Sequence, residues 1–276
     1  ICEEDILFYV NTFVYQFNPK KTQGEIGPFI TWDFQDGALH EILRCVEDQE
    51  DLVIEKSRDM GASWLCLIAL SWLYQFKRWK KFGLISNDAD AVDKPGDSKS
   101  LFWKLMFMHE RLPSWMMDPV EGETRRKMSL VHSRSHSSIT GGASTATTFV
   151  GDKMTAMFVD EFSIHEKDRE FYDGSRDVTN CRIFNGTPQG THKKMHDLVT
   201  DKDHKKLTMM WWDHPDKNKG LYQYDPRVSR AVPRDPKFDY GPKFEFVLDG
   251  KLRNPWYDNE EKTRTPRSMA LNVDCD

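Results

Sequence analysis

The residues best suited to chemistry stand in four short runs, and the first is Lys56-Ser57-Arg58-Asp59-Met60-Gly61-Ala62-Ser63. The apolar Leu52–Ile54 before it predicts a buried strand, and the Leu/Ala-rich Ser63–Phe76 after it predicts a helix. A strand, a tight polar loop and a helix opening on a hydroxyl make a phosphate cradle, because successive loop N–H groups and the helix N-terminus face one anion. The usual spacing, glycine, four residues, then Gly-Lys-Ser/Thr, is half present. Gly61 and Ser63 fit, Ala62 fills the lysine slot, and Lys56 fills the first glycine slot. Lys56 offers a mobile positive charge from the loop's other end, Arg58 a second cation, and Ser63 a hydroxyl placed to ligate Mg²⁺. On residue types alone the run reads equally as a plain strand–turn–helix with its polar turn in solvent.

The second run is Met157-Phe158-Val159-Asp160-Glu161. A buried strand ending in two carboxylates places them at the carboxyl edge of a sheet, where open α/β folds bind ligands. Asp160 is suited to hold Mg²⁺ through its water shell, and Glu161 to orient and deprotonate an attacking water. Apolar runs ending in Asp-Glu also arise by chance. The third run, Asn185-Gly186-Thr187-Pro188, follows the apolar Cys181–Phe184 and puts polar groups just past a strand end, where a γ-phosphate can be sensed and its loss relayed. The same residues are turn formers. The fourth is Trp32-Asp33-Phe34-Gln35: a glutamine amide can pair with both a donor and an acceptor on an adenine edge, with aromatics over the ring. Aromatics at such a place also serve simply as core.

The elements that must position these runs are predicted from periodicity. Residues 1–17 read as one amphipathic helix, 18–28 as a turn-rich link, and Gly37–Val46 as a second helix. Phe82–Ser86 reads as a strand, 87–98 as a loop, Leu101–Arg111 as a helix, and 129–150 as loops or edge strands. Strands interleaved with helices imply an α/β fold with a mainly parallel sheet flanked by helices. Beyond about Lys205, tryptophans, tyrosines and prolines lie among charged residues without long periodic runs. The expected organisation is a core over 1–206, a small accessory region over 207–260, and a short segment 261–276.

A chain of 276 residues, 38% hydrophobic and 30% charged, has the make-up of an ordinary globular protein, and its longest apolar stretch is too short to span a bilayer. It opens on Ile1-Cys2-Glu3-Glu4-Asp5, without an initiator methionine or a secretion signal, as expected of a piece of a longer protein. Five scattered cysteines without CxxC spacing argue against a disulfide framework or a zinc site. A net charge of −5 excludes a globally basic nucleic-acid coat while leaving local patches such as Lys77-Arg78-Trp79-Lys80-Lys81 and Arg125-Arg126-Lys127.

Taken in order, the four runs resemble the N-terminal ATPase domain of a large terminase subunit, the DNA-packaging motor of tailed bacteriophages. The resemblance rests on Gln35, on the loop Lys56–Ser63 with its displaced lysine, on Asp160-Glu161 as a Walker B pair, and on Asn185-Gly186-Thr187 as a coupling motif. It implies an ASCE-type P-loop NTPase with a lid subdomain after the core, and a nuclease domain further along that this chain lacks. It implies ATP and Mg²⁺ as ligands, with Gln35, Lys56, Ser57, Arg58, Asp59, Met60, Gly61, Ala62 and Ser63 on the nucleotide. Ser63 and Asp160 would hold the metal, and Glu161, Lys56 and Arg58 would carry catalysis. Relatives often bear a trans-acting arginine before Walker B; here Thr147–Lys153 contains none, so Lys153 or Arg134 is the candidate. The resemblance further implies double-stranded DNA, a portal protein and a small terminase subunit as partners. It implies a homo-oligomeric ring on the procapsid, a monomer in isolation, no membrane, and a location in the host cell cytoplasm rather than the mature virion. A helicase-like translocase and a non-hydrolysing nucleotide-binding module are the alternatives.

Overall fold

The computed structural model describes residues 1–276 except 19–24, 117–122, 146, 188 and 276, and of 123 and 124 it describes the backbone only. The chain divides into two compact units, one formed by Ile1–Glu55 and Gly61–Thr208, the other by Lys56–Met60 and Met209–Asp276.

The first unit is built on an eight-stranded sheet. Its elements in chain order are α1 (Ile6–Phe13), β1 (Tyr15–Asn18), β2 (Glu25–Pro28), α2 (Asp33–Asp48), β3 (Leu52–Lys56), α3 (Ala62–Phe76), β4 (Lys81–Ser86), α4 (Ala89–Val92), α5 (Leu101–His109), β5 (Glu123–Arg126), β6 (Ser129–His132), β7 (Ser138–Ala143), β8 (Ala156–Val159), α6 (Asp168–Gly174), β9 (Arg182–Gly186), α7 (Lys194–Thr200) and β10 (Lys205–Met209). The strand order is β10-β3-β9-β8-β4-β7-β6-β5. β3, β9, β8, β4 and β7 run parallel, and β6 and β5 add an antiparallel edge. β9 is therefore inserted between the strand that leads into the loop and the strand that ends at Asp160, the additional strand of the ASCE-type fold. Strands covered on both faces must be apolar throughout, and Ala156–Val159 is buried at every position. One face carries a core in which Val53, Met157, Val159 and Phe184 pack with Phe171, Met195 and Leu198. α3 is buried almost all round, from Leu65 through Gln75, which explains its unbroken Leu/Ala character.

Several elements differ from their sequence expectations. The amino-terminal helix spans only Ile6–Phe13, capped by the Asp5 carboxylate, which accepts from the Phe8 N–H at 3.0 Å. Tyr15–Asn18 alternates aromatic with polar side chains and pairs antiparallel with Glu25–Pro28 instead of continuing the helix. The part of the expected link at 19–24 lies outside the described residues, as do Pro188 and Asp276. α2 starts at Asp33, four residues earlier than the apolar periodicity indicates, where the Gln35 side-chain Oε1 accepts from the Trp32 N–H at 3.1 Å and covers a backbone donor at the helix start. A short helix, Ala89–Val92, sits inside the expected loop 87–98. β9 continues through Asn185 and Gly186, whose backbones pair with Ile54 and Glu55, so both residues belong to the strand.

The second unit has a three-stranded antiparallel sheet, β12 (Arg230–Pro233), β11 (Tyr222–Asp225) and β13 (Leu252–Arg253), followed by α8 (Pro255–Thr263), α9 (Pro266–Met269) and a π-helical turn, Ala270–Asp274. Its core gathers Trp211, Tyr257, Met269 and Val273. Arg253 is buried and held by Asp249, Asp258 and Glu261. Such a cation removed from water requires paired charges. Among the described residues no helix is long and apolar enough to cross a membrane.

Candidate nucleotide site

The sequence-predicted residues of the first unit converge at the carboxyl ends of β9 and β8 and the amino end of α3. Asp160 follows β8 directly, so its side chain emerges where the strand stops. Its Oδ1 accepts three hydrogen bonds: from Ser63 Oγ at 2.9 Å, from Asn185 Nδ2 at 2.6 Å and from the Glu161 N–H at 3.1 Å. Asn185 Nδ2 also lies 3.3 Å from Ser63 Oγ. Ser63 stands in the first turn of α3, Asn185 in β9, and Asp160 at the end of β8. Three separate elements thus fix one carboxylate, and the Asn185 side chain, fully buried, bridges the other two.

Glu161 adopts a left-handed backbone, φ 52° and ψ 36°. That conformation is uncommon away from glycine and asparagine and clusters at functional sites. It turns the chain into a 3-10 turn, Phe162–Ile164, directly after the acidic pair. β9 approaches this turn closely: a Cβ on Gly186 would stand 2.8 Å from Ser163 Oγ and 3.2 Å from Ser163 N. Glycine at 186 is therefore required by contact with the turn that carries Glu161. Thr187, the third member of the predicted coupling run, is buried, and its Oγ1 accepts from Gln189 Nε2 at 3.5 Å.

Gln35, buried in the first turn of α2, uses its Oε1 to accept from the Trp32 N–H at 3.1 Å. Its Nε2 reaches the loop: a Cβ on Gly61 would be 2.9 Å from it. Gly61 also has φ +84°, so a side chain there is excluded by both space and backbone. The Gln35 amide, expected to read adenine, is thus engaged with its own helix and stands against the end of the phosphate loop.

The loop's first residues belong to the second unit and are held there by its carboxyl-terminal segments. Ser57 Oγ donates to the Val273 carbonyl at 2.6 Å and accepts from the Trp211 N–H at 3.1 Å, and Ser57 N donates to Met209 O at 3.0 Å. Arg58 N donates to Asn272 O at 2.8 Å. Lys217 Nζ donates to the carbonyls of Arg58 at 2.6 Å and Asp59 at 3.3 Å. Asp59 has φ +60°; with the Ser57 and Arg58 N–H groups already donating within the second unit, any N–H groups turned to an anion come from the loop residues after Arg58. Lys56 is buried at 8% exposure, as are Ser57 and Met60, whereas the Arg58 and Asp59 side chains are exposed. Ala62 is the first residue of α3.

The candidates for action in trans lie elsewhere. Arg134 sits in the turn between β6 and β7, whose residue 138 pairs with Lys81 at the start of β4. Lys153 lies just before β8 and donates to the Asp177 carbonyl. Both are at the amino edge of the parallel strands, opposite the Asp160 edge.

Three contributors had no legible sequence signal. His165, fully buried between Phe162 and Phe171, places Nε2 3.0 Å from the Asp160 carbonyl. Burial pushes its pKa down to about 4. Lys193 Nζ donates to the His165 carbonyl at 2.7 Å. Lys217 is far from the loop in sequence and stands in an ordinary charged turn.

The donor set fits Mg²⁺. A hydroxyl and a carboxylate in contact are hard oxygen ligands, and because three donors occupy Asp160 Oδ1, the carboxylate's other oxygen is the one to meet a cation. Among the described residues no group of three or more His, Cys, Asp or Glu side chains forms a metal cage. Mg²⁺ bound by one or two protein oxygens together with substrate phosphates needs no such cage.

Comparison with known proteins bears on the fold and the family. Among curated proteins none matches. Among solved structures, the Thermus phage P74-26 large terminase ATPase domain is similar with TM-score 0.53 and 12% identity over 82% of this chain and 88% of that one. The large terminase of another thermophilic bacteriophage gives 0.52 and 11% over 88% of this chain and 52% of that one, and that of bacteriophage HK97 gives 0.51 and 12% over 76% and 43%. The chain thus covers nearly all of an isolated ATPase domain but about half of the longer large terminases it matches. At these identities the likeness establishes the fold. The family described as terminase large subunit, T4-like-virus type, N-terminal, matches residues 53–246, which is most of the chain and includes the loop, the acidic pair and β9; the chain belongs to that family.

Proposed function

We propose that this chain is the ATPase motor domain of a large terminase, hydrolysing ATP with Mg²⁺ to drive double-stranded DNA into a viral procapsid. The observation that carries the reading is the Ser63–Asp160–Asn185 knot, with Glu161 on a left-handed turn beside it. Phosphoryl transfer to water is largely positioning and charge neutralisation. In this reading the loop N–H groups and Lys56 hold the β- and γ-phosphates, and Arg58 adds charge near the γ-phosphate. Ser63 and Asp160 hold Mg²⁺, which when bound neutralises charge on the phosphate oxygens. Glu161 orients a water and accepts its proton as the water oxygen bonds to the γ-phosphorus and the bond to the ADP oxygen breaks, yielding ADP and phosphate. Asn185, tied to both Asp160 and Ser63, feels the loss of the γ-phosphate and passes it along β9 through Gly186 to the Glu161 turn, with Thr187 next to it. The roles of Ser57, Asp59, Met60, Gly61 and Ala62 are to shape the loop, and Gln35 sets its end and faces adenine with the remainder of its amide. A homo-oligomeric ring, a portal protein and a small terminase subunit in the host cytoplasm complete the packaging machine.

Calorimetric titration with ATP and Mg²⁺ tests the binding half of this reading. Lys56→Ala is expected to weaken binding by about tenfold or more, since a lost charge-assisted contact is worth about 1.5–3 kcal/mol. Asp160→Asn is expected to abolish the dependence of binding on Mg²⁺. Equal affinity for the native chain and both variants contradicts the assignment.

A further inference from the structure

At the amino edge of the sheet the first unit has a cavity of about 780 Å³ that the nucleotide chemistry does not use. Its wall includes the first residues of β4, Lys81 and Phe82, and Thr155 just before β8. Asp160 lies beyond the other end of β8, five residues from Thr155 and thus roughly 16 Å away at about 3.3 Å per residue. The cavity is therefore a separate site.

Its floor is apolar, formed by Leu43, Val46, Leu73, Phe82 and Met154. Lys77, Lys80, Lys81 and Lys153 line it against a single acidic side chain, Glu47, in a chain whose net charge is −5. Trp79 stands at its rim, 71% exposed, with φ +60°. A bulky residue in that region is a genuine outlier, and here the surroundings hold it. Trp79 N donates to Ser135 O at 2.9 Å, Lys80 N to Ser137 Oγ at 3.0 Å, and Ser137 Oγ to the Lys77 carbonyl at 2.6 Å. His136 stacks on the indole at 4.4 Å with planes 22° apart. The indole is thus pre-organised on the surface with its conformational freedom already removed, which is the property of an aromatic anchor in an interface.

We propose that this cavity is a docking site for an acidic peptide segment of a partner protein, one that places an apolar side chain on the floor of Leu43, Val46, Leu73, Phe82 and Met154 and a carboxylate against Lys80, beside the stacked Trp79 ring. Duplex DNA does not suit the same features. Its phosphates need a raised cationic surface and gain nothing from an aliphatic floor. Of the four lysines, Lys81 pairs with Asp152 at 3.4 Å, and Lys77 and Lys153 donate to the Glu3 and Asp177 carbonyls, so Lys80 is the cation that a peptide carboxylate meets first.

Selection of a random peptide library against the whole chain tests this. The expected result is enrichment of sequences with two or more Asp or Glu around a large apolar residue. Their affinity should fall by about tenfold or more in Trp79→Ala and, independently, in Lys80→Glu, the range for loss of an interface anchor. Both variants should keep the native melting temperature, and should either fail to do so the other carries the comparison. The proposal is overturned by no enrichment, by enrichment of basic or uncharged peptides, or by binding that neither variant weakens. It is equally overturned if short duplex DNA displaces the peptides and loses affinity in the same two variants.

Discussion

Asp160 Oδ1 concentrates the chemistry of the first unit, since a buried acceptor bound by three donors fixes the hydroxyl, the amide and the backbone around it. Replacing Asn185 by leucine keeps the volume and removes one donor to Asp160. The expected loss is about 1–3 kcal/mol of stability, read by urea denaturation, together with a fall in ATP turnover larger than the unfolded fraction accounts for. Gly61→Ala confronts a φ of +84° and a contact of 2.9 Å to Gln35 Nε2, and is expected to lose about 1–3 kcal/mol and to bind ATP weakly. His165 gives a pH signature. Its imidazole, held down to about 4 first by burial and also raised slightly by Asp160 and Asp168 and lowered by Lys193, stays neutral in the native chain where the unfolded chain protonates below about 6.5. Unfolding therefore takes up a proton in that window, and stability, full above about pH 6.5, falls by about 3 kcal/mol as the pH drops toward 4. His165→Phe, which keeps the aromatic packing, is expected to remove that slope in melts run across pH 4–7. Of these residues the acidic pair and the loop hydroxyl were legible, because a buried apolar run ending in Asp-Glu and a helix opening on serine are local patterns. His165 was not, since its role arises only when the 3-10 turn folds its ring back under the Asp160 carbonyl.

Among the elements, β9 shows where local reasoning loses to tertiary pairing. Asn-Gly-Thr-Pro has the chemistry of a turn, yet parallel pairing of Asn185 with Ile54 and Gly186 with Glu55 draws the first two residues into the sheet. That pairing makes Asn185 face Asp160 and Ser63 instead of solvent. α2 and β1 show the converse, where acidic residues at the helix start (Asp33, Asp36) and a short alternating run (Tyr15–Asn18) were available in sequence but outweighed by longer apolar periodicity. The loop's first half is fixed by residues no local pattern joins to it: Trp211 and Val273 both bond the one hydroxyl of Ser57. Ser57→Ala leaves the buried Trp211 N–H and Val273 carbonyl without that partner. The expected loss is about 1–3 kcal/mol of stability in the second unit, read as faster amide exchange at Trp211 than at the strands of the eight-stranded sheet.

At the scale of the whole molecule, the order β3-β9-β8 and the family match agree on the amino-terminal domain of a large terminase subunit. The fold class was legible because alternating strands and helices leave few topologies; of the antiparallel edge, β6 falls within the 129–150 stretch read as loops or edge strands, while β5, short and charged, was not legible. The displaced lysine now has a physical context. Lys56 ends β3 as a buried residue, and the carbonyls of Arg58 and Asp59 that follow it are bound by Lys217. Steady-state phosphate release from ATP and Mg²⁺, measured for the native chain beside Glu161→Gln over a range of protein concentrations, tests the central claim most directly. The account predicts turnover by the native chain that rises per subunit with concentration as neighbours assemble, and a loss of about a hundredfold or more in the variant, the contribution of a positioned general base. Equal release by the two proteins at every concentration contradicts it.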